Sequence, residues 1–310
     1  MNYYVGIDIG GTNIKYGLVT ATGEIIDDSH VKTANNGESI FNEISNIVKQ
    51  YREEHKVIAV GISAPGIILD NGFMVTGGSI QDFYGINLKE ELEIRLDLPV
   101  TVENDANCAA LAEKWLGAGQ DYHHLLAVVV GTGIGGGIII NDQLFRGGHA
   151  TAGEFGFMMV EPIVNNDSRM ATLSLTGSVG CGIVNKYAEA ASLNESNYLN
   201  GEEIFALVNQ GEALANQVVA DFYDRLAIGI FNMAVSFDPE IILIGGAISG
   251  NQAFMAELTR RVHELKAQHR DMKTVTLPEI QPCQFLNQAG IIGATYKAVL
   301  AQEKVDNHEK

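Results

Sequence analysis

Twice in this chain a strand runs into a glycine-rich loop and emerges as another strand. The first passage is Val5-Gly-Ile-Asp-Ile-Gly-Gly-Thr-Asn-Ile-Lys15, and the second is Leu125–Val130, then Gly131-Thr-Gly-Ile-Gly-Gly-Gly137, then Ile138–Asn141. Glycines let the backbone turn with its N–H groups free to face an anion. In the first loop Gly10 and Gly11 make the turn, Thr12 adds a hydroxyl, Lys15 adds a positive charge, and Asp8 closes the strand before it. Either loop alone would suit an ordinary glycine hairpin. At the head of each half, the pair reads as two phosphate clamps, with Gly131, Thr132 and Gly133 in the second. The run Gly131 to Gly136 also satisfies the G-x-G-x-x-G dinucleotide fingerprint. That motif must open a helix, however, and here Ile138-Ile-Ile-Asn continues as a strand.

A chain of 310 residues is long for one core, and two domains of about 100–200 residues each are the natural expectation. Halves that both open strand, glycine loop, strand predict a duplicated α/β fold with a cleft between the domains. The first domain is expected over 1–118 and the second over 119–288, with a short hinge-like junction near 117–123 where no low-complexity linker intervenes. A net charge of −18 argues against nucleic acid or an anionic membrane as a partner. No basic and apolar leader precedes Tyr3, and no apolar run reaches the roughly 18 residues a membrane span needs, so the expected compartment is the cytoplasm. Cys108, Cys181 and Cys283 form no Cys-x-x-Cys pair and are read as buried apolar residues.

Periodicity predicts strands over 3–9, 14–20 and 24–32, a helix over 38–54 and a strand over 57–63 that meets the turn Ala64-Pro65-Gly66. A strand over 100–102 and a helix through Ala109 to Leu116 follow, ended by Gly117 and Gly119. The second half predicts strands over 125–130 and 138–141, helices around 177–191, 201–209 and 212–236, and a strand over 240–244. A helix over 251–268, a last strand near 274–277 and a closing helix over about 289–303 complete the chain.

The segment Asp8-Ile-Gly-Gly-Thr-Asn-Ile-Lys15 resembles the first phosphate motif of the ROK family of bacterial sugar kinases, relatives of hexokinase and actin within the ASKHA superfold. Glu103-Asn-Asp105, Gly131–Gly137, Gly148-His-Ala-Thr-Ala-Gly-Glu-Phe-Gly-Phe157 and Ile241-Ile-Leu-Ile-Gly-Gly-Ala247 follow in the family's order and together span nearly the whole chain. The resemblance implies an α/β fold of two RNase H-like (actin-like ATPase) domains, with the closing helix, 289–310, returning to the first. It implies ATP and Mg²⁺ as cofactors, a small-molecule sugar and a nucleotide as ligands, and a homodimer.

On the same resemblance Asp105 accepts the proton of the attacking hydroxyl, Asn104 fixes a sugar hydroxyl, and Glu154 bonds the sugar ring. Asp8 belongs to the metal and phosphate neighbourhood, touching Mg²⁺ indirectly. Ser79 opens a loop that closes over the sugar, where the family usually has Asn. Gly245 and Gly246, with Ala289–Gly293, resemble the adenosine pocket. Apart from the motifs, Asp105 would suit a helix cap, Asp8 a buried strand-end acid, Glu154 a solvated loop acid, and the glycines a close packing of elements.

Many members follow the sugar glutamate with Gly-His, then a cysteine cluster for structural zinc, then a second sugar glutamate. Here the histidine position is Phe157, and 161–183 holds only Cys181, so no zinc is expected. The second glutamate falls near Thr172 or Ile183, neither acidic. Phe157 offers either an aromatic face beside the sugar or plain core filling. The implied activity is ATP-dependent phosphorylation of the 6-hydroxyl of a hexose or hexose derivative, glucose or a β-glucoside foremost, with N-acetylmannosamine or another N-acetylhexosamine as the alternative. A sugar-sensing regulator of the family would carry a helix-turn-helix domain ahead of the first strand, where two residues precede Tyr3. An actin-like or chaperone ATPase would lack the sugar motifs around Asn104 and Glu154.

Overall fold

The computed structural model describes residues 1–308. In chain order its elements are β1 (Tyr3–Ile9), β2 (Asn13–Thr20), β3 (Ile25–Lys32), α1 (Gly37–Glu54), β4 (Val57–Ala64), α2 (Leu88–Leu96), β5 (Val100–Asn104) and α3 (Asp105–Leu116). Then come β6 (Leu125–Val130), β7 (Ile134–Ile140), β8 (Gln143–Leu144), α4 (Leu173–Gly177), a π-helical run Val179–Asn185, and α5 (Lys186–Ala190). The remainder is α6 (Gly201–Asn209), α7 (Ala213–Phe237), β9 (Ile241–Gly245), α8 (Gln252–Gln268), β10 (Glu279–Pro282) and α9 (Ala289–His308). Among the described residues no helix is long and apolar enough to cross a membrane.

The two sheets have one plan. The first runs β3-β2-β1-β4-β5 and the second, read in the matching direction, β8-β7-β6-β9-β10. In the first, β1, β2 and β3 form an antiparallel meander, and β4 and β5 run parallel to β1. In the second, β6, β9 and β10 are parallel and β8 pairs antiparallel with β7. The repeated opening of the sequence is thus a repeated sheet, and the fold is the two-sheet α/β architecture of the actin-like ATPases.

One compact unit comprises Met1–Asp121, Gly137–Ala152 and the chain from Gln284 onward. Its sheet is covered on both faces because its strands alternate. Val5, Ile7 and Ile9 of β1 pack with Ile40, Ile44 and Val48 of α1 and with Leu88 and Leu92 of α2, all within 1% exposure, while Tyr4 packs with Ala298 and Val299 of α9. α1 starts where the Asn36 side chain accepts from Ser39 N at 2.8 Å, and Ile40, Phe41, Ile44, Ile47, Val48 and Tyr51 form its buried stripe. α9 lies unusually close to the sheet. A Cβ on Gly61 of β4 would fall 2.1 Å from the Ala294 carbonyl oxygen, so only glycine allows that approach.

The other unit comprises Tyr122–Gly136 and Gly153–Cys283. β6 and β9 are almost wholly apolar, from Leu125 to Val130 and from Ile241 to Ile244, as central parallel strands buried on both faces should be. α7 supplies the long buried stripe through Val219, Phe222, Leu226, Ile230 and Met233.

Several expectations need correction. α2 was not foreseen. The helix expected over 177–191 is instead the π-helical run and the short α5, preceded by α4, which ends at Gly177; Gly180 and Gly182 lie in the run where regular helix fails. The last strand is Glu279–Pro282, paired with β9, instead of 274–277. β7 begins at Ile134, which confines the open part of the second glycine loop to Gly131–Gly133. Cys108 and Cys283 are buried, but Cys181 is half-exposed.

Candidate functional site

Asp8 and Asp105 lie at the carboxyl ends of β1 and β5, and Gly131 and Gly245 at those of β6 and β9, the ends at which open α/β sheets bind ligands, whereas Ser79, Glu154 and Phe157 sit in the connections. In the first unit Asp8 lies near the end of β1, directly opposite Lys15 of β2. The turn between these strands is closed by the Gly10 N–H donating to the Asn13 carbonyl at 3.0 Å. Thr33 braces it from behind, its hydroxyl donating to the Gly10 carbonyl at 2.6 Å and its N–H to the Thr12 carbonyl at 2.9 Å. Gly11 and Thr12 are left exposed at the tip. Ser79, also exposed, stands against Gly11, where a Cβ would come within 3.0 Å of its Oγ. Lys15 Nζ donates to the Asn287 carbonyl at 3.3 Å.

Asp8 is half-buried and accepts from the fully buried Ser63 hydroxyl at 2.6 Å. Loss of hydration raises its pKa, and the Ser63 hydrogen bond and the Lys15 charge act in the opposite sense. Gly290 of α9 packs on the same carboxyl group, since a Cβ there would sit 2.3 Å from Asp8 Cγ.

Asp105 is the first residue of α3, and the cap is its neighbour. Asn104 Oδ1 accepts from Ala106 N at 2.9 Å and Asn107 N at 3.1 Å, while its Nδ2 donates to the Gly66 carbonyl at 3.0 Å. Asn104 therefore joins the start of α3 to the turn after β4, and the cap suggested for Asp105 belongs to Asn104. The Asp105 carboxylate accepts from its own helix at Ala106 N, 2.8 Å away. Although its side chain reaches solvent, the protein crowded round it withdraws hydration and pushes its carboxyl up to about 6. The hydrogen bond from Ala106 lowers the pKa, and the negative charge of Asp8 raises it further.

Beside this pair is a charge cluster that the motifs did not announce. Glu103 is completely buried. Its Oε2 receives Arg146 Nη1 and Lys297 Nζ, each at 2.6 Å, and its Oε1 receives Asn104 N at 2.9 Å and Asn107 Nδ2 at 3.0 Å. No spacing rule links positions 103, 146 and 297; only the fold brings them together.

In the second unit the Gly131–Gly133 loop is tied down from one side. Gly180 N donates to the Gly131 carbonyl at 3.1 Å, and the Ser178 hydroxyl to the Thr132 carbonyl at 3.0 Å. Ile134 N donates to Ser174 Oγ at 2.8 Å. Thr132 and Gly133 remain exposed. Ser174 also faces the Glu154 turn, because a Cβ on Gly156 would lie 2.3 Å from its Oγ. This serine, overlooked in the sequence, joins the second glycine loop to the segment carrying Glu154, whereas Thr172 is buried with its hydroxyl on the Arg169 carbonyl and Ile183 is core. Glu154 is half-buried at the head of the short helical turn Phe155–Phe157. Phe157 is 71% exposed, which removes core filling as its purpose. Gly246, with φ +89°, lets the chain turn past the end of β6, where a Cβ would meet the Val130 carbonyl at 2.2 Å, and Gly245 ends β9 in the core.

Each unit by itself presents a backbone loop with an exposed tip, and the first adds two aspartates and a lysine, features that suit phosphoryl transfer, which asks a protein mainly for positioning and charge stabilisation. The model of the ROK family matches residues 4–303. The chain is 39% identical to a β-glucoside kinase of Listeria monocytogenes, covering 93% of this chain and 95% of that one. A solved structure of a Listeria monocytogenes protein proposed to be an N-acetylmannosamine kinase superposes with a TM-score of 0.85 at 38% identity, covering 97% of this chain and 99% of that one. A ROK glucokinase of Streptomyces griseus, solved with glucose and AMPPNP, superposes with a TM-score of 0.80 at 28% identity over 96% of this chain and 99% of that one. The duplicated sheet, the loops at its strand ends and a match from Tyr4 to Glu303 lead to one conclusion: this chain belongs to the ROK family and is a sugar kinase.

Proposed function

We propose that this kinase transfers the terminal phosphoryl group of ATP to the 6-hydroxyl of a hexose, with glucose or a β-glucoside as the acceptor and Asp105 as the base. The observation that carries the reading is the placing of Asp105 at the start of α3, on a helix end that Asn104 caps and ties to the Gly66 carbonyl. A carboxylate with a pKa near 6 is ionised at neutral pH and is a better proton acceptor than an ordinary aspartate. Because the transition state is loose, orienting the hydroxyl matters more than basicity, and a residue at the first position of a capped helix is well placed to do that.

Asn104 is committed by its cap and its bond to Gly66, which leaves one Nδ2 hydrogen for a sugar hydroxyl. Glu154 and Ser79 bond the sugar, and Phe157 offers an apolar face to a substituent on C1. The tips Gly10-Gly11-Thr12 and Gly131-Thr132-Gly133 take the phosphates, Lys15 adds charge, and Gly245-Gly246 borders the adenosine. The homodimer and the cytoplasm as its compartment belong to the same reading.

Asp8, paired with Ser63 and standing opposite Lys15, fits a water-mediated hold on a magnesium ion. A hard dication prefers oxygen donors, and a carboxylate reached through water would leave its inner sites to water and phosphate oxygens. When bound, the ion neutralises charge on the transferring phosphoryl group. Asp8, oriented by Ser63, would hold it through water.

The alternative acceptor is N-acetylmannosamine or another N-acetylhexosamine, favoured by the likeness to the Listeria monocytogenes protein. A coupled ADP-release assay over glucose, methyl β-glucoside, cellobiose, N-acetylmannosamine and N-acetylglucosamine decides. Glucose or a β-glucoside should give the highest kcat/KM; an N-acetylhexosamine at the top replaces the first reading by the second, and no sugar-dependent ADP release overturns both.

A further inference from the structure

We infer that the buried carboxylate of Glu103, held between Arg146 and Lys297, is the positioning device for Asp105, with Arg146 as the positioning residue that locks it. This rests on Asp105 acting as the base, as proposed above.

The cluster is costly as a source of stability. Glu103 is 0% exposed and Arg146 15%, and a buried ion pair roughly breaks even against a well-packed apolar substitute. Its geometry has a more specific use. Glu103 Oε1 holds the backbone N–H of Asn104 and the side chain of Asn107, which are the cap and a first-turn residue of α3. Glu103 Oε2 is fixed in turn by Arg146 and Lys297. Each cation is anchored elsewhere. Lys297 donates to the Val102 carbonyl at 2.8 Å; Arg146 donates to the Ile68 carbonyl and pairs with Asp70 at 3.0 Å.

Arg146 and Asn104 grip the same stretch of chain, at Ile68 and Gly66. A closed circuit results, running from β5 through Glu103 to Arg146, along Ile68 to Gly66, and back through the Asn104 side chain to α3. Asp105 is the next residue of the chain, so its backbone is fixed before any ligand arrives. Only a planar guanidinium serves the carboxylate and the Ile68 carbonyl together; a lysine ammonium offers charge without that fork. Misplacing a catalytic group by about 1 Å can cost about 10²-fold in rate.

The test compares Glu103→Gln, Arg146→Met and Arg146→Lys with the parent for kcat, sugar Kd by calorimetry and nucleotide KM, well below each thermal midpoint. Glu103→Gln and Arg146→Met should each lower kcat by about 10–100-fold, with sugar Kd weakened by no more than about fivefold through Asn104 and nucleotide KM within about threefold. Arg146→Lys should fall between them and the parent, about three- to tenfold down, and the double variant Glu103→Gln/Arg146→Met should be no slower than the slower single. Folded single variants with kcat within about threefold of the parent, or a loss of sugar binding that matches the loss of kcat, would overturn the inference. Should neither fold, Arg146→Lys decides, and an unchanged kcat there overturns it. Asp105→Asn is measured alongside. Turnover retained in that variant sinks the base itself, whereas turnover lost there but kept in Glu103→Gln sinks only the positioning role.

Discussion

The Ser63 hydroxyl donates to Asp8 Oδ1 at 2.6 Å across the parallel pairing of β1 with β4, from a position sealed from solvent. Asp8 has lost hydration and would drift toward its protonated form without such support. A hydrogen bond to a charged group contributes about 1.5–3 kcal/mol, enough to decide how a carboxylate presents itself to a cation. Ser63→Ala should therefore raise the Mg²⁺ concentration for half-maximal activity by about tenfold, with sugar affinity unchanged. A magnesium titration at saturating sugar checks it, and an unaltered titration would remove Asp8 from the metal's neighbourhood.

As the proposed base, Asp105 would set activity and stability against each other. Its folded pKa of about 6 lies above the ordinary 3.8, so the folded protein binds the extra proton between those values. Its contribution to stability is present in acid and is lost as pH rises through about 6. At pH 7.5 the ionised carboxylate is a burden, and Asp105→Asn is expected to melt above the parent there, with the gap narrowing toward pH 4. Activity runs the other way. The parent's kcat should fall below pH about 6 as the base is protonated, and Asp105→Asn should lose about 10²–10⁴-fold in kcat while binding sugar normally. Turnover within tenfold of the parent would show that another group takes the proton.

Much of this was legible because glycine loops and apolar alternation are local signals. The meander, α1, α7 and both loops follow from residues close in sequence. α2 hides because Leu88, Leu92 and Leu96 form a single buried stripe among charged neighbours, and its clearest cue is the Asn87 cap on Glu90. The run Thr274–Leu277 is rich in β-branched residues yet forms no strand, whereas Glu279–Pro282 does, because pairing with β9 outweighs intrinsic preference. Ser63, Ser174 and the Glu103 cluster were invisible for a different reason: their partners lie 40 or more positions away, and nothing in a linear pattern reports such a meeting.

Gly290 lets α9 pack directly on Asp8. A Cβ there would fall 2.3 Å from Asp8 Cγ and 2.5 Å from Oδ1, so Gly290→Ala must push α9 or the carboxyl aside. Overpacking of this kind costs about 1–3 kcal/mol. Thermal melting should show that loss, and the magnesium titration should shift in the direction expected of Ser63→Ala. A variant that melts lower but titrates normally would mean that the helix yields and Asp8 does not.

Phe157 stands three residues beyond Glu154 with 71% of its surface open, and a side chain that packs so little has little to do with stability. Phe157→Ala should change unfolding free energy by no more than about 0.5 kcal/mol. In the proposed site its effect would be on the acceptor. A histidine at this place would present a polar group to the sugar, and a substituent on C1 that could not bond it would leave that group unpaired. Phenylalanine has no such group to strand, and its ring can lie against an apolar aglycone, an aromatic contact worth about 0.5–1.5 kcal/mol beyond the area covered. The expected outcome is that kcat/KM for phenyl β-glucoside falls about five- to twentyfold in Phe157→Ala while that for glucose moves less than threefold, the aromatic term and the lost apolar area acting together. Equal losses on both substrates would place the ring under the sugar itself, and no loss on either would leave Phe157 outside the acceptor site.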